Sequence, residues 1–296
     1  MSSEDPAILG AMPALGAILT AIITPFDADG RVDEDAFVAV QQHVCATGSD
    51  GVVVAGTTGE APTLSDEEHL RIIELAVTNR PAGSTVVAGT GSNDTRHAVH
   101  LTQRATELGV DGILSVTPYY NRPTPRGILA HFGEVAKATD VPIVLYNIPS
   151  RTGTDMPNDL LAELAQLDGV SAVKQANNDN LALVDGLELY AGNDESVART
   201  LDMGGVGGIC VATHLLGPLF RALVDEPGRR AEVQAELSGY LPALNRANPV
   251  SIKAAIELAG LAPGNLRLPL VEATESEREE IRAVLGRAGV LEAARR

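Results

Sequence analysis

The amino-acid sequence predicts an α/β fold, a single (β/α)8 TIM barrel with a C-terminal helical appendage. Eight short apolar runs alternate with amphipathic stretches from Ala17 to about Pro227, at the repeat of roughly 30 residues that consecutive βα units occupy. Beyond Pro227 the pattern turns to helices alone. The length, 296 residues, suits one barrel of about 250 residues with an addition. An open doubly wound sheet is the alternative that the same alternation allows.

In chain order the runs are AILTAIITPF from Ala17, GVVVAGTTGE from Gly51, STVVAGTG from Ser84 and GILSVTPYY from Gly112. They continue with PIVLYNIP from Pro142, GVSAVKQAN from Gly169, LELYAGND from Leu187 and GGICVAT from Gly207. Apolar almost throughout and rich in Val and Ile, they suit strands buried on both faces of a parallel sheet. Helix punctuation marks the stretches between. Ser65 and Glu68 form a capping box ahead of LRIIELAV, each side chain placed to satisfy the other's backbone N–H. Gly109 closes a helix that begins near Asp94, and Pro157 occupies a first-turn position before LLAELAQL. One helix is expected after each of the eight strands. AEVQAELSGYLPALNR, SIKAAIELAG and SEREEIRAVLGRAGV then supply the appendage. Residues 1–16 read as an N-terminal extension, 17–227 as the barrel, and 228–296 as a helical region packed on it.

An apolar content of 45% permits a large core. The net charge of −17 argues against nucleic acid or an anionic membrane as partner, because both would repel the chain. No tract of about 18 apolar residues is present to span a bilayer. The start, with Glu4 and Asp5, does not resemble a secretion signal. Cys45 and Cys210 offer neither a disulfide framework nor metal-ligand spacing and read as inert core thiols. A cytoplasmic setting is expected.

In a (β/α)8 barrel the chemistry collects where strands end and βα loops begin. The second strand ends in Gly56-Thr57-Thr58-Gly59-Glu60, the fourth in Pro118-Tyr119-Tyr120-Asn121, the fifth in Tyr146-Asn147 with Arg151 beyond. The sixth ends in Lys174 and the seventh in Gly192-Asn193-Asp194. The chain has three lysines, Lys137, Lys174 and Lys253, and Lys174 alone emerges from an apolar strand. An amine held among apolar groups is disfavoured as the ammonium; as the free base it can attack a ketone and form an iminium. A structural lysine paired with a carboxylate is the other reading.

The GTTGE loop offers backbone N–H groups and hydroxyls to a small anion, or is simply a Thr-rich turn. With aromatics at 3% of the chain, Tyr119, Tyr120 and Tyr146 stand out, since a phenol bonded to another hydroxyl can pass protons. Arg151 could clamp a second carboxylate bidentately. Gly89-Thr90-Gly91 lacks the rest of a dinucleotide loop, and His97 with His100 lacks a third ligand, so no metal site is expected.

Taken together, GTTGE, VTPYYNRP, LYNIPSRTG, AVKQAN and AGND, in this order and spacing, resemble the pyruvate-dependent class I aldolase superfamily that includes N-acetylneuraminate lyase. The likeness runs from about Gly16 to the C-terminus. Within the superfamily it is strongest to the synthases of 4-hydroxy-tetrahydrodipicolinate in lysine and diaminopimelate biosynthesis. The lyases usually carry Ser before the second Thr of the loop, and the synthases place an arginine where Arg151 follows YNIPS. The resemblance implies a Schiff base between Lys174 and pyruvate, with no metal or organic cofactor. It implies a proton relay of Thr57, Tyr146 and Tyr120, the last reaching in from a neighbouring subunit. Thr57 and Thr58 would hold the pyruvate carboxylate and Arg151 the L-aspartate 4-semialdehyde, with the backbone of Gly192 and Ile209 lining the pocket. It also implies a homotetramer built as a dimer of dimers.

Many of these synthases bind lysine as a feedback effector through positions that fall here at Ala61, Asp66, His69, Asn93, His97 and Tyr119. His69, Asn93 and Tyr119 fit that pattern. Asp66 stands where a histidine is usual, and His97 where an acid is usual, so weak or absent lysine inhibition is expected. Two rival functions remain at this level: another pyruvate-dependent aldolase or lyase, acting on a 2-keto-3-deoxy sugar acid or related adduct, and a non-catalytic member of the fold that binds a small acid.

Overall fold

The computed structural model describes residues 14–293. Of the N-terminal extension, residues 1–13 lie outside the described residues. Eight strands run in order: β1 (Ile18–Ala21), β2 (Gly51–Val54), β3 (Thr85–Gly89), β4 (Gly112–Val116), β5 (Ile143–Asn147), β6 (Val170–Gln175), β7 (Glu188–Ala191) and β8 (Gly207–Cys210). Each pairs in parallel with its sequence neighbour, and β1 closes on β8 with Leu19 opposite Ile209. The sheet is thus a closed barrel, which decides against the open doubly wound alternative.

The outer helices are α1 (Glu34–Ala46), α2 (Asp66–Thr78), α3 (Thr95–Glu107), α4 (Pro125–Ala136), the one-turn α5 (Pro149–Thr152), α6 (Asn158–Leu164), α7 (Val197–Asp202) and α8 (Thr213–Asp225). Beyond them, among the described residues, come α9 (Arg230–Ser238), α10 (Leu241–Leu244), α11 (Val250–Leu258), α12 (Glu275–Arg287) and α13 (Val290–Ala293). The capping box at Ser65 and Glu68 opens α2 with both reciprocal bonds made, and Asp94 caps α3. Pro157 sits one position earlier than its pattern suggests, at the N-cap of α6.

One expectation about helices fails. The β6–β7 connection makes only a 3₁₀ turn, Asn178–Asn180. Its sequence begins ANNDN, and those amides bond locally instead of supporting a helix: Asn177 accepts from the Asp179 N–H, while Asn177 and Asn180 both donate to Asp155. The stretch AEVQAELSGYLPALNR divides, into α9 and α10, at Gly239 and Tyr240 ahead of Pro242, which cannot continue the ladder of α9.

Strand alternation sorts the apolar residues into two clusters. Val52, Val54, Ile143 and Leu145 face outward to the helices; Leu19, Val53, Val87, Val144, Ala172 and Ile209 fill the lumen. Leu15 and Tyr190 close the lumen at its N-terminal end, the Tyr190 hydroxyl donating to the Gly16 carbonyl at 2.9 Å. Cys210 is buried, whereas Cys45 is half-buried and so departs from the expected core thiol. Burial raises the pKa of both. Among the described residues no helix is long and apolar enough to cross a membrane.

Buried imidazoles give the fold an acid limit. His214 accepts from the Ile23 N–H at 3.1 Å and donates through Nδ1 to the Val211 carbonyl at 2.7 Å, an arrangement that needs the neutral ring. Burial holds both His214 and His131 down to about 4. Between about 4 and 6.5 the unfolded chain therefore binds protons that the folded one refuses, so stability falls as pH drops through that window. At 1.36 kcal/mol per unit the loss is on the order of 3 kcal/mol for each ring. Urea unfolding at pH 7 and at pH 4.5 should show a clearly lower midpoint in acid; equal midpoints would contradict the assignment of these two histidines.

Candidate active site

Lys174 is placed by strand geometry. It lies opposite Tyr146 on β5 and Tyr190 on β7, and it shares the inward direction of Ala172 two residues before it. The residue is 5% exposed, and its Nζ lies 4.3 Å from the centroid of the Tyr146 ring. Below it the lumen is packed; above it opens a cavity of about 310 Å³ lined by Lys174, Thr57, Thr58, Tyr146, Arg151 and Gly192, among others. These come from the loop-bearing ends of β2, β5, β6 and β7. Gly192 has a steric reason to be glycine: a Cβ there would lie 2.8 Å from the Ala176 Cβ and 2.9 Å from its nitrogen. Ile209 is fully buried in the lumen cluster, and Val211, two residues on, lines the cavity.

The Gly56–Glu60 loop is bracketed by Ala55 and Glu60, both in the left-handed region at φ 55° and 54°. Thr24 Oγ1 donates to the Gly59 carbonyl at 2.7 Å, and Thr58 Oγ1 accepts from Asn248 Nδ2 at 3.1 Å. Arg151 is presented by α5, whose single turn closes on Gly153 at φ 70°. Its Nη2 donates to the Asn248 carbonyl at 3.2 Å. At the next strand end, the buried Asp194 accepts from the Val211 and Ala212 N–H groups and from Asn245 Nδ2, fixing the loop after β8. Asn245 and Asn248 both line the cavity, so the chain beyond the barrel contributes to its wall.

A second cavity of about 450 Å³ adjoins the first and shares Gly56, Thr57, Tyr146 and Arg151 with it. Ala61, Asp66, His69, His97 and Tyr119 line it. Asn93 is not among its lining residues; its carbonyl accepts from Asn121 Nδ2. His97 Nε2 donates to Asp66 Oδ1 at 3.0 Å, and the buried His69 donates to the Gly89 carbonyl at 2.8 Å. Burial lowers the pKa of His69. Tyr120 is 88% exposed, stands at φ 72°, and lines neither cavity as the described residues form them.

The sequence pattern of the Dihydrodipicolinate synthetase family matches residues 14–288. The chain belongs to this family. Among curated members it is 41% identical over 293 residues to the 4-hydroxy-tetrahydrodipicolinate synthase of Symbiobacterium thermophilum, covering 95% of this chain and 100% of that one. Among solved structures, the dihydrodipicolinate synthase of Acinetobacter baumannii complexed with pyruvate superposes with a TM-score of 0.90 at 33% identity, over 93% and 99% of the two chains. The dihydrodipicolinate synthase of Cyanidioschyzon merolae with lysine bound gives 0.89 at 36%, over 94% and 99%.

Sequence reasoning overlooked part of what surrounds this dihydrodipicolinate synthetase-family cavity. Asn245 and Asn248 were invisible because their contacts lie far along the chain, Asn248 and Thr58 being 190 positions apart. Lys253, in the helical run SIKAAIELAG, reads from the sequence as a lysine with room for a structural partner, not as a neighbour of the threonine loop. It is fully buried, bonded to Glu60 and to the Asn265 carbonyl, and burial draws its pKa down to about 8 against the pull of the Glu60 carboxylate. The signal for it was present: a lone lysine in the apolar run PVSIKAAI, in a chain with few lysines.

Proposed function

We propose that this chain condenses pyruvate with L-aspartate 4-semialdehyde through a Schiff base on Lys174, yielding 4-hydroxy-tetrahydrodipicolinate for lysine and diaminopimelate biosynthesis. The single observation that carries the reading is a buried strand-end amine at the floor of a cavity that also holds Thr57, Thr58, Tyr146 and Arg151, in a member of the dihydrodipicolinate synthetase family.

The Lys174 amine adds to the keto carbon of pyruvate, and the carbinolamine loses water to give the iminium. That iminium draws electrons from the adjacent methyl group, which gives up a proton to form the enamine. The enamine carbon attacks the aldehyde, forming the C–C bond, and the resulting alkoxide takes a proton. The amino group of the second substrate then adds to the iminium carbon and expels Lys174, closing the ring with one water lost overall. The iminium is itself the electron sink, so the sequence calls for no metal or organic cofactor. Tyr146 beside Nζ, with Thr57, is the group we assign to carry the protons. Tyr120 of a neighbouring copy completes the relay in this reading, supported by its outward placement, and the assembly would be a tetramer made of two dimers. Thr57 and Thr58 hold the pyruvate carboxylate and Arg151 that of the semialdehyde.

A coupled assay with pyruvate and L-aspartate 4-semialdehyde tests the reading. Arg151→Ala should lower kcat/KM for the semialdehyde roughly 10- to 100-fold, the scale of a lost charged hydrogen bond, while leaving borohydride trapping of pyruvate nearly unchanged. A variant with full activity would point to a second substrate without that carboxylate. The same assay should show little inhibition by millimolar lysine, because Asp66 and His97 in the second cavity already satisfy one another.

A further inference from the structure

We propose that the buried Glu60–Lys253 pair is a positioning device for the keto acid's carboxylate, holding the strained Ala55–Glu60 loop so that Thr57 and Thr58 face the cavity. The inference rests on the assignment of Thr57 and Thr58 to that carboxylate.

Three observations converge on it. First, two non-glycine residues in the left-handed region bracket the loop, a conformation that persists only where the surroundings over-determine it. Second, the Glu60 carboxylate is held on both oxygens from outside the barrel: Oε1 by Lys253 Nζ of α11, and Oε2 by the Arg267 backbone N–H at 3.1 Å. Both side chains of the ion pair are 0% exposed. Lys253 is completed by the Asn265 carbonyl at 2.8 Å and by the face of Phe26, whose centroid lies 4.2 Å from Nζ. The Arg267 guanidinium packs 4.3 Å from the same ring and forks onto Glu68, with further bonds to the Thr63 and Gly30 carbonyls. Third, the segment that delivers Lys253 also delivers Asn248, whose amide bonds Thr58 Oγ1 and whose carbonyl receives Arg151. One stretch of chain outside the barrel therefore touches the loop at its end, the threonine beside it, and the group assigned to the second carboxylate.

A buried ion pair is weak evidence of added stability, because well-packed apolar residues often serve the fold as well. Its bonds are directional, however, and they fasten the residue that ends the loop. That distinction makes the inference testable.

The full-length enzyme with Glu60→Met and Lys253→Met together replaces the pair by apolar chains of similar length. Two readouts are needed: the thermal midpoint, and the pyruvate concentration giving half-maximal trapping by borohydride. The expected result is a thermal midpoint close to that of the parent, with half-saturation raised about tenfold or more, as for loss of a preorganised charged contact. Unchanged half-saturation in the folded double variant would overturn the inference and leave the pair as packing alone. If the double variant does not fold, Glu60→Asp, which keeps the charge but shortens the reach, is measured in the same way and judged by the same outcome. Failure of the parent enzyme to be trapped at all would instead sink the Schiff-base reading, so the two failures are separable.

Discussion

Replacing Lys174 by Ala should remove all covalent capture of pyruvate and lower turnover by roughly 10⁴-fold or more, the scale on which loss of a covalent nucleophile is felt. Mass spectrometry after borohydride treatment checks the first part: the parent gains the mass of a reduced pyruvate adduct, the variant none. The fold should survive, since the change removes an amine from the cavity floor and leaves the Tyr146 and Tyr190 neighbours in place. Neither remaining lysine can substitute. Lys253 is bonded to Glu60 and Asn265, and Lys137 is exposed at the end of α4, paired with Glu134. An adduct that persists in the variant would place the reactive amine elsewhere and end the proposal.

Tyr146→Phe should have the next largest effect. It removes a single hydroxyl and keeps the ring that lies beneath Nζ, so binding of pyruvate should change little while proton movement suffers. General acid–base catalysis contributes roughly 10²- to 10⁴-fold; kcat should fall by about 10²-fold or more, with KM for pyruvate within a few-fold of the parent. Single-turnover trapping should slow in parallel, because dehydration of the carbinolamine needs a proton donor. A variant with normal kcat would show that Tyr146 only packs against the lysine.

Much of the barrel is legible in the sequence because strands buried on both faces leave a strong record: short Val- and Ile-rich runs ended by polar residues, at an even spacing. Lys174 stands out for the same reason, as a charge at the end of such a run. The β6–β7 connection misleads because the even βα repeat alone implies a helix there, while the competing bonds of Asn177 and Asn180 become evident only once Asp155 is seen to gather them. The site's far wall is unreadable for a different reason. Asn248 meets Thr58 and Lys253 meets Glu60 across 190 and 193 positions, and no local pattern announces a contact at that range. The outward placement of Tyr120 is likewise a property of the single chain that the motif VTPYYNRP cannot express.

The plug formed by Leu15 and Tyr190 makes the reaction chamber a cul-de-sac. Among the described residues the lumen below Lys174 is packed, so whatever meets the amine approaches from the loop side and order is imposed by depth. On the proposed Schiff-base route the keto acid, seated against the amine, has to arrive before its partner, and the water released on capture has to escape before the aldehyde stoppers the opening. Ring closure would then loosen the deepest bond last, freeing the product towards the loop side.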